Sequence, residues 1–90
     1  MFYFIPRFAW KIKYFLWIML HTLMKTFGNR LKELREEKEL SLEKLAKVFN
    51  TTNQTISRWE LGQNQPSYEV LVQIARYFNV RTDYLLGLEE

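Results

Sequence analysis

Ninety residues, 48% of them apolar and none a cysteine, allow one small domain with a single core and room for an appendage, since single domains run to roughly 100–150 residues. Disulfides are excluded, and the composition fits a reducing, cytoplasmic setting. The formal charge of +3 is uneven: Arg7, Lys11, Lys13 and Lys25 face no acid in the first 26 residues, whereas from Phe27 onward nine Lys or Arg stand against ten Asp or Glu. Bulk charge therefore does not mark a nucleic-acid binder, and any such reading must rest on local geometry.

The stretch MFYFIPRFAWKIKYFLWIMLHTLM is richer in aromatic residues than anything after it, which sets residues 1–26 apart as an aromatic, basic, helical extension. Its longest charge-free run, Tyr14 to Met24, falls short of the about 20 apolar residues a membrane span needs. Arg7, Lys11 and Lys13 before Phe15 to Leu20 have the order of a secretory signal, but no small-residue cleavage site follows, so none is expected. After Pro6, a good first helical residue, Phe8, Ile12, Phe15 and Met19 share one helical face and Trp10, Tyr14, Trp17 and His21 another. Such a helix needs cover from the rest of the domain, from a second copy, from a protein partner, or from a membrane surface reached through residues 1–23. Equally, Met24-Lys25-Thr26-Phe27 would be an ordinary start for a small bacterial protein, leaving residues 1–23 as an upstream extension. His21, the only histidine, has no Cys or nearby carboxylate to join and reads as structural, so no metal is expected.

Five short helices are expected from Asn29 on. The first, about Asn29 to Lys38, takes Asn29 as its cap and turns Leu31, Leu34 and Arg35 to one side. Ser41 caps the second, where Leu42, Leu45, Ala46 and Phe49 recur at i, i+3, i+4 and i+7 and Glu43 sits at the positive end of the helix dipole. Asn50 then suits the left-handed position of a tight corner, and Thr51 or Thr52 caps the third helix, which runs to about Leu61 and stops at Gly62. In that helix Thr52, Ile56, Trp59 and Glu60 fall on the inward side, and Asn53, Gln54, Ser57, Arg58 and Leu61 on the outward one. Asn and Gln pair with adenine and Arg with guanine through two hydrogen bonds each, so the outward set suits base edges. Ser67 caps a fourth helix with Leu71, Ile74, Ala75 and Phe78 buried and Asn79 as its left-handed end, and a fifth spans about Thr82 to Leu86 before Gly87. No period-2 alternation of useful length appears, so no sheet is expected.

These segments, LKELREEKELSLEKLAKVFN, TTNQTISRWELGQNQPS and LVQIARYFNVRTDYLLG, in this order and spacing, resemble the helix-turn-helix domain of the phage repressor and Cro type, the XRE family. The resemblance covers about residues 27–88, with the helix-turn-helix at about 42–61, and implies an all-α, five-helix lambda-repressor-like domain carrying an additional N-terminal aromatic helix. It also implies that the helix from about Thr52 lies in the major groove while the N-terminus after Ser41 faces a phosphate. Asn53, Gln54 and Arg58 would then read bases, with Ser41, Thr51, Thr52, Thr55, Ser57, Gln63 and Asn64 at the backbone or assisting. Arg35 and Glu60 match a pair that forms an internal salt bridge in many relatives.

Several residues depart from the pattern. Leu42 stands where many relatives have Gln, Leu61 where a polar residue is common, and Gln63 where Lys is common; Glu39, Asn50 and Asn79 hold turn positions often filled by Gly. With fewer cations, phosphate binding is expected to be modest and base readout correspondingly more important. The resulting expectation is a sequence-specific regulator, a repressor of phage or mobile-element type, acting as a homodimer on a pseudo-palindromic operator in double-stranded DNA. The alternative is a protein-binding adaptor or antitoxin module using the aromatic helix. Neither an enzyme nor a cofactor is expected, for no Cys or glycine-rich phosphate loop is present and the acids lie mostly on solvated faces.

Overall fold

A computed structural model describes the chain over residues 7–89, with side chains from Lys13 onward. Expectations resting on Pro6, and on the side chains of Phe8, Trp10 and Ile12, lie outside the described residues. Five helices follow in order: α1 (Arg7–Glu37), α2 (Leu42–Val48), α3 (Asn53–Glu60), α4 (Tyr68–Phe78) and α5 (Thr82–Leu86). No strand occurs among the described residues, in keeping with the all-α expectation.

One expectation is corrected. Instead of a separate aromatic helix followed by a second helix capped at Asn29, α1 runs unbroken for 31 residues with Gly28 and Asn29 inside it. Both residues are weak helix formers, yet their penalties amount to about 1 kcal/mol or less each, which packing readily outweighs. Gly28 is placed where α1 crosses the end of α3: a Cβ there would stand within 3.0 Å of the carbonyl oxygens of Trp59 and Glu60. The glycine is a crossing point for two backbones and not a break.

Three serine or threonine hydroxyls start the shorter helices. Ser41 accepts from the Lys44 amide at 3.1 Å, Thr52 from Thr55 at 3.2 Å and Ser67 from Val70 at 3.3 Å, each satisfying a donor that has no partner within its helix. Left-handed residues end or join them. Glu39, Asn50 and Asn79 have φ of 55°, 54° and 56°, and Gly62 and Gly87 lie at 75° and 81°. For Asn the strain is small, whereas Glu39 gains nothing from its side chain there.

The core is one cluster built from Phe27, Leu31, Leu45, Ala46, Phe49, Ile56, Trp59, Ile74, Ala75, Phe78 and Leu85, with Leu34, Leu42 and Leu71 packed on its edge. Helix α3 packs on both α1 and α2, and α5 bridges α1 and α4. Arg30 fastens the last element: its guanidinium donates to the Tyr84 carbonyl and, at 2.8 Å, to that of Glu89, and lies 4.4 Å from the centre of the Tyr84 ring. No helix among the described residues is long and apolar enough to cross a membrane.

Candidate nucleic-acid interface

The corner between α2 and α3 is four residues long and hydrogen-bonded throughout its first half. The Phe49 amide donates to Leu45, Asn50 to Lys47 at 3.3 Å, and Thr51 to Ala46 at 2.9 Å, so left-handed Asn50 closes α2 while turning the chain sharply into α3. Ile56 and Trp59 are buried beneath it, which fixes the rotation of α3 about its own axis. With those two inside, Gln54, Arg58 and Leu61 form an outward stripe at i, i+4 and i+7, and all three are exposed. Asn53, also exposed, flanks the stripe at the start of the helix, while Ser57 and Thr55 stand half-buried on its two sides.

Thr52 differs from its inward placement on the helical wheel. It is exposed, because an N-cap with extended backbone (φ −108°, ψ 157°) lies outside the helix and does not follow its periodicity. Its hydroxyl oxygen both caps Thr55 and lies 2.9 Å from the Thr55 hydroxyl, so these two side chains are tied to each other and share one free donor. Thr51 is half-buried in the corner.

Two further polar regions flank this stripe. At one side, Ser41 caps α2, its oxygen accepting from Lys44 and leaving its own hydroxyl hydrogen free to donate. At the other, Gln63 and Asn64 are exposed on the loop after α3, with the Gln63 amide donating to Arg58 at 2.9 Å. Two cations that the sequence did not assign to the site, Lys44 and Lys25, lie beside these regions. Lys44 lies in the first turn of α2, a position that the spacing from Ser41 already indicated. Lys25 runs alongside Gly62, its Cγ 3.2 Å from where a Cβ on that glycine would stand, and only the crossing of α1 over the end of α3 brings it there.

The pose of α3 is held from behind by Arg35. Its Nε donates to Glu60 Oε2 at 2.7 Å, Nη2 to Oε1 at 3.1 Å, and Nη1 to the Leu40 carbonyl at 2.9 Å. The two-pronged bond to Glu60 raises the arginine pKa above its ordinary value, outweighing the lowering by burial. One side chain thereby ties α1, the α1–α2 turn and α3 together.

Two helices joined by a tight corner, the second showing a polar stripe outward, define a helix-turn-helix protein. The family model described as Helix-turn-helix matches residues 31–85, and the chain belongs to that family. It is 39% identical over 64 residues to the HTH-type transcriptional activator BcrR of Enterococcus faecalis, covering 71% of this chain and 31% of that protein. It is 34% identical over 65 residues to the HTH-type transcriptional regulator ImmR of Bacillus subtilis, covering 72% and 51%. The chain thus spans from a third to about half the length of these relatives. Among solved structures, the restriction-modification controller protein C.AhdI from Aeromonas hydrophila superposes with a TM-score of 0.61 at 31% identity, over 69% of this chain and 94% of that one.

Proposed function

We propose that the chain is a sequence-specific DNA-binding transcriptional regulator, a repressor of phage or mobile-element type, acting in the cytoplasm as a homodimer on a pseudo-palindromic site. The observation that carries this reading is the exposed stripe of Gln54 and Arg58, flanked by Asn53, on a helix whose rotation is fixed by Ile56, Trp59 and the Arg35–Glu60 pair. Gln54 and Asn53 suit adenine and Arg58 suits guanine, each through paired hydrogen bonds. Leu61, exposed on the same stripe, suits a thymine methyl. Ser41 and Lys44 at the start of α2, and Gln63, Asn64 and Lys25 at the far side, would hold phosphates on either side of the groove. Thr51, Thr52, Thr55 and Ser57 assist at the edges.

The test is a fluorescence-anisotropy titration against the DNA upstream of the chain's own gene and a scrambled duplex, across a salt series. The intact chain, Arg58→Ala and a version starting at Met24 are compared. Preference for the upstream duplex that vanishes with Arg58→Ala and is retained, though weaker, without residues 1–23 supports the reading. Equal, weak binding to both duplexes by all three versions would sink it. The adaptor or antitoxin reading would then take its place, favoured by the exposed aromatic surface of α1.

A further inference from the structure

Seven consecutive residues of α1, Tyr14 to Leu20, keep 41–65% of their surface exposed, and every one is aromatic or aliphatic. Soluble chains rarely leave so continuous an apolar patch bare. The segment also begins with no acid in its first turn to match the positive end of the helix dipole, so the helix gains little from its own sequence there.

What can cover this surface depends on the direction it faces. Leu16, Leu20 and Leu23 precede Phe27 by eleven, seven and four residues, so they prolong, at coiled-coil spacing, the stripe that Phe27, Leu31 and Leu34 place in the core. The side chains follow that spacing: Leu20 and Leu23 form one wall of an apolar pocket of about 130 Å³ whose opposite wall includes Pro66, Leu71 and Leu86. The exposed stripe is therefore a ledge that runs out past the edge of the domain and ends in a corner pocket against it.

A flat surface cannot lie on that ledge, because α4 and the 63–66 loop stand on the same side of α1 as the stripe. A rod one helix wide can. We propose that the occupant is a second copy of this chain, its own α1 lying antiparallel along the ledge. Parallel pairing is sterically closed: the partner's domain, which sits on the partner's stripe, would be carried into the space held by the first domain. Antiparallel pairing sends that domain the other way and brings the N-terminal end of each helix against the corner of the opposite domain. Overlap from Arg7 to Leu23 gives a contact about 24 Å long at 1.5 Å per residue. Leu16, Leu20 and Leu23 line the ledge with Trp17 and Met19 at its margins, so the two ledges together fall at the low end of specific interfaces, at most about 1,200 Å² in total.

Charge favours the same arrangement. Residues 1–26 carry only cations, so parallel helices would set each lysine beside its own copy. With Arg7 opposite Leu23, Lys13 falls beside Trp17 instead, where its ammonium can lie over an aromatic face.

The inference deepens the homodimer reading above. Its test is made without DNA, so its failure would be distinguishable from failure of the groove assignment. In analytical ultracentrifugation at micromolar concentration the full chain is expected to sediment as a dimer, and Leu16→Glu with Leu20→Glu as a monomer. Circular dichroism should show that the double variant still folds and melts cooperatively, lowered only by the stabilisation that dimerisation adds, since both residues are more than half exposed in the single chain. Because the chain has no native cysteine, Leu16→Cys, close to the two-fold axis, should oxidise to a covalent dimer, while Leu23→Cys, far from it, should not. A monomeric full chain, a dimer that survives the double substitution, or equally ready cross-linking at both positions would overturn the proposal. So would a monomer that co-sediments with phosphatidylserine vesicles, which would point to lipid as the occupant.

Discussion

Gly28 brings α1 directly onto the carbonyl groups at the end of α3, with Glu60 and Trp59 so near that no side chain fits between. Adding a single methyl group tests this contact. Gly28→Ala gains about 1 kcal/mol of helix propensity but pushes a Cβ into backbone that has little room to yield, an overpacking worth about 1–3 kcal/mol or more. The conflict is with main chain, so a net loss is expected, read as a fall in melting temperature. A variant that melts at or above the parent would show that the crossing is loose.

The same two helices are joined by Arg35 and Glu60, whose side chains are 13% and 7% exposed. Removing one partner strands the other and is expected to destabilise by about 3–5 kcal/mol, whereas replacing both with apolar residues should cost far less. A double-mutant cycle with Arg35→Met and Glu60→Leu reads the difference. Because the arginine pKa is raised on folding, its contribution is fully present below its unfolded value and is lost only as pH climbs past the folded one. The ionisation of Arg35 should therefore add no pH dependence across the neutral range. A loss in the double variant equal to the sum of the two single losses would mean that the pair is not coupled.

Glu39 occupies the α1–α2 turn with φ of 55°, a conformation costing an ordinary L-residue about 1–2 kcal/mol. Glu39→Gly relieves that strain while raising the entropy of the unfolded chain, so a net gain of up to about 1 kcal/mol is expected. Asn50→Gly and Asn79→Gly should be nearly neutral, because Asn tolerates the left-handed region. Chemical denaturation of the three variants checks the ranking, and a Glu39→Gly variant less stable than its parent would refute it.

On DNA, Arg58→Ala and Lys44→Ala should separate base reading from phosphate holding. The first is expected to cost about 1–3 kcal/mol and to relax discrimination at one position of the site. The second should weaken all duplexes alike and reduce the salt slope by about one. Binding measured against single-base variants of the site at several salt concentrations distinguishes them; identical profiles for the two substitutions would contradict the assignment.

Much of this was legible in the residues. Ser41 before Leu42, Asn50 after Phe49, Thr52 before Asn53 and Ser67 before Tyr68 place each short helix, because caps and left-handed ends are local chemistry carried by one or two side chains. The outward stripe on α3 follows equally from spacing once Ile56 and Trp59 are taken as buried.

Other features were decided only in three dimensions. Helical weakness at Gly28 and Asn29 reads locally as an end, yet α1 continues, since a glycine in a packed helix is retained for the neighbour it admits, and here that neighbour, Trp59 and Glu60, is far away in the chain. Thr52 escaped its helical wheel because the wheel does not apply to a residue with extended backbone. Lys25 joined the far edge of the candidate interface through the α1–α3 crossing alone. The sequence by itself determined where helices begin and turn and which side of α3 is wet. The tertiary structure decided which helices are one, and that the apolar stripe of the extension is the core stripe prolonged, because long-range packing sets the direction in which a helix face looks.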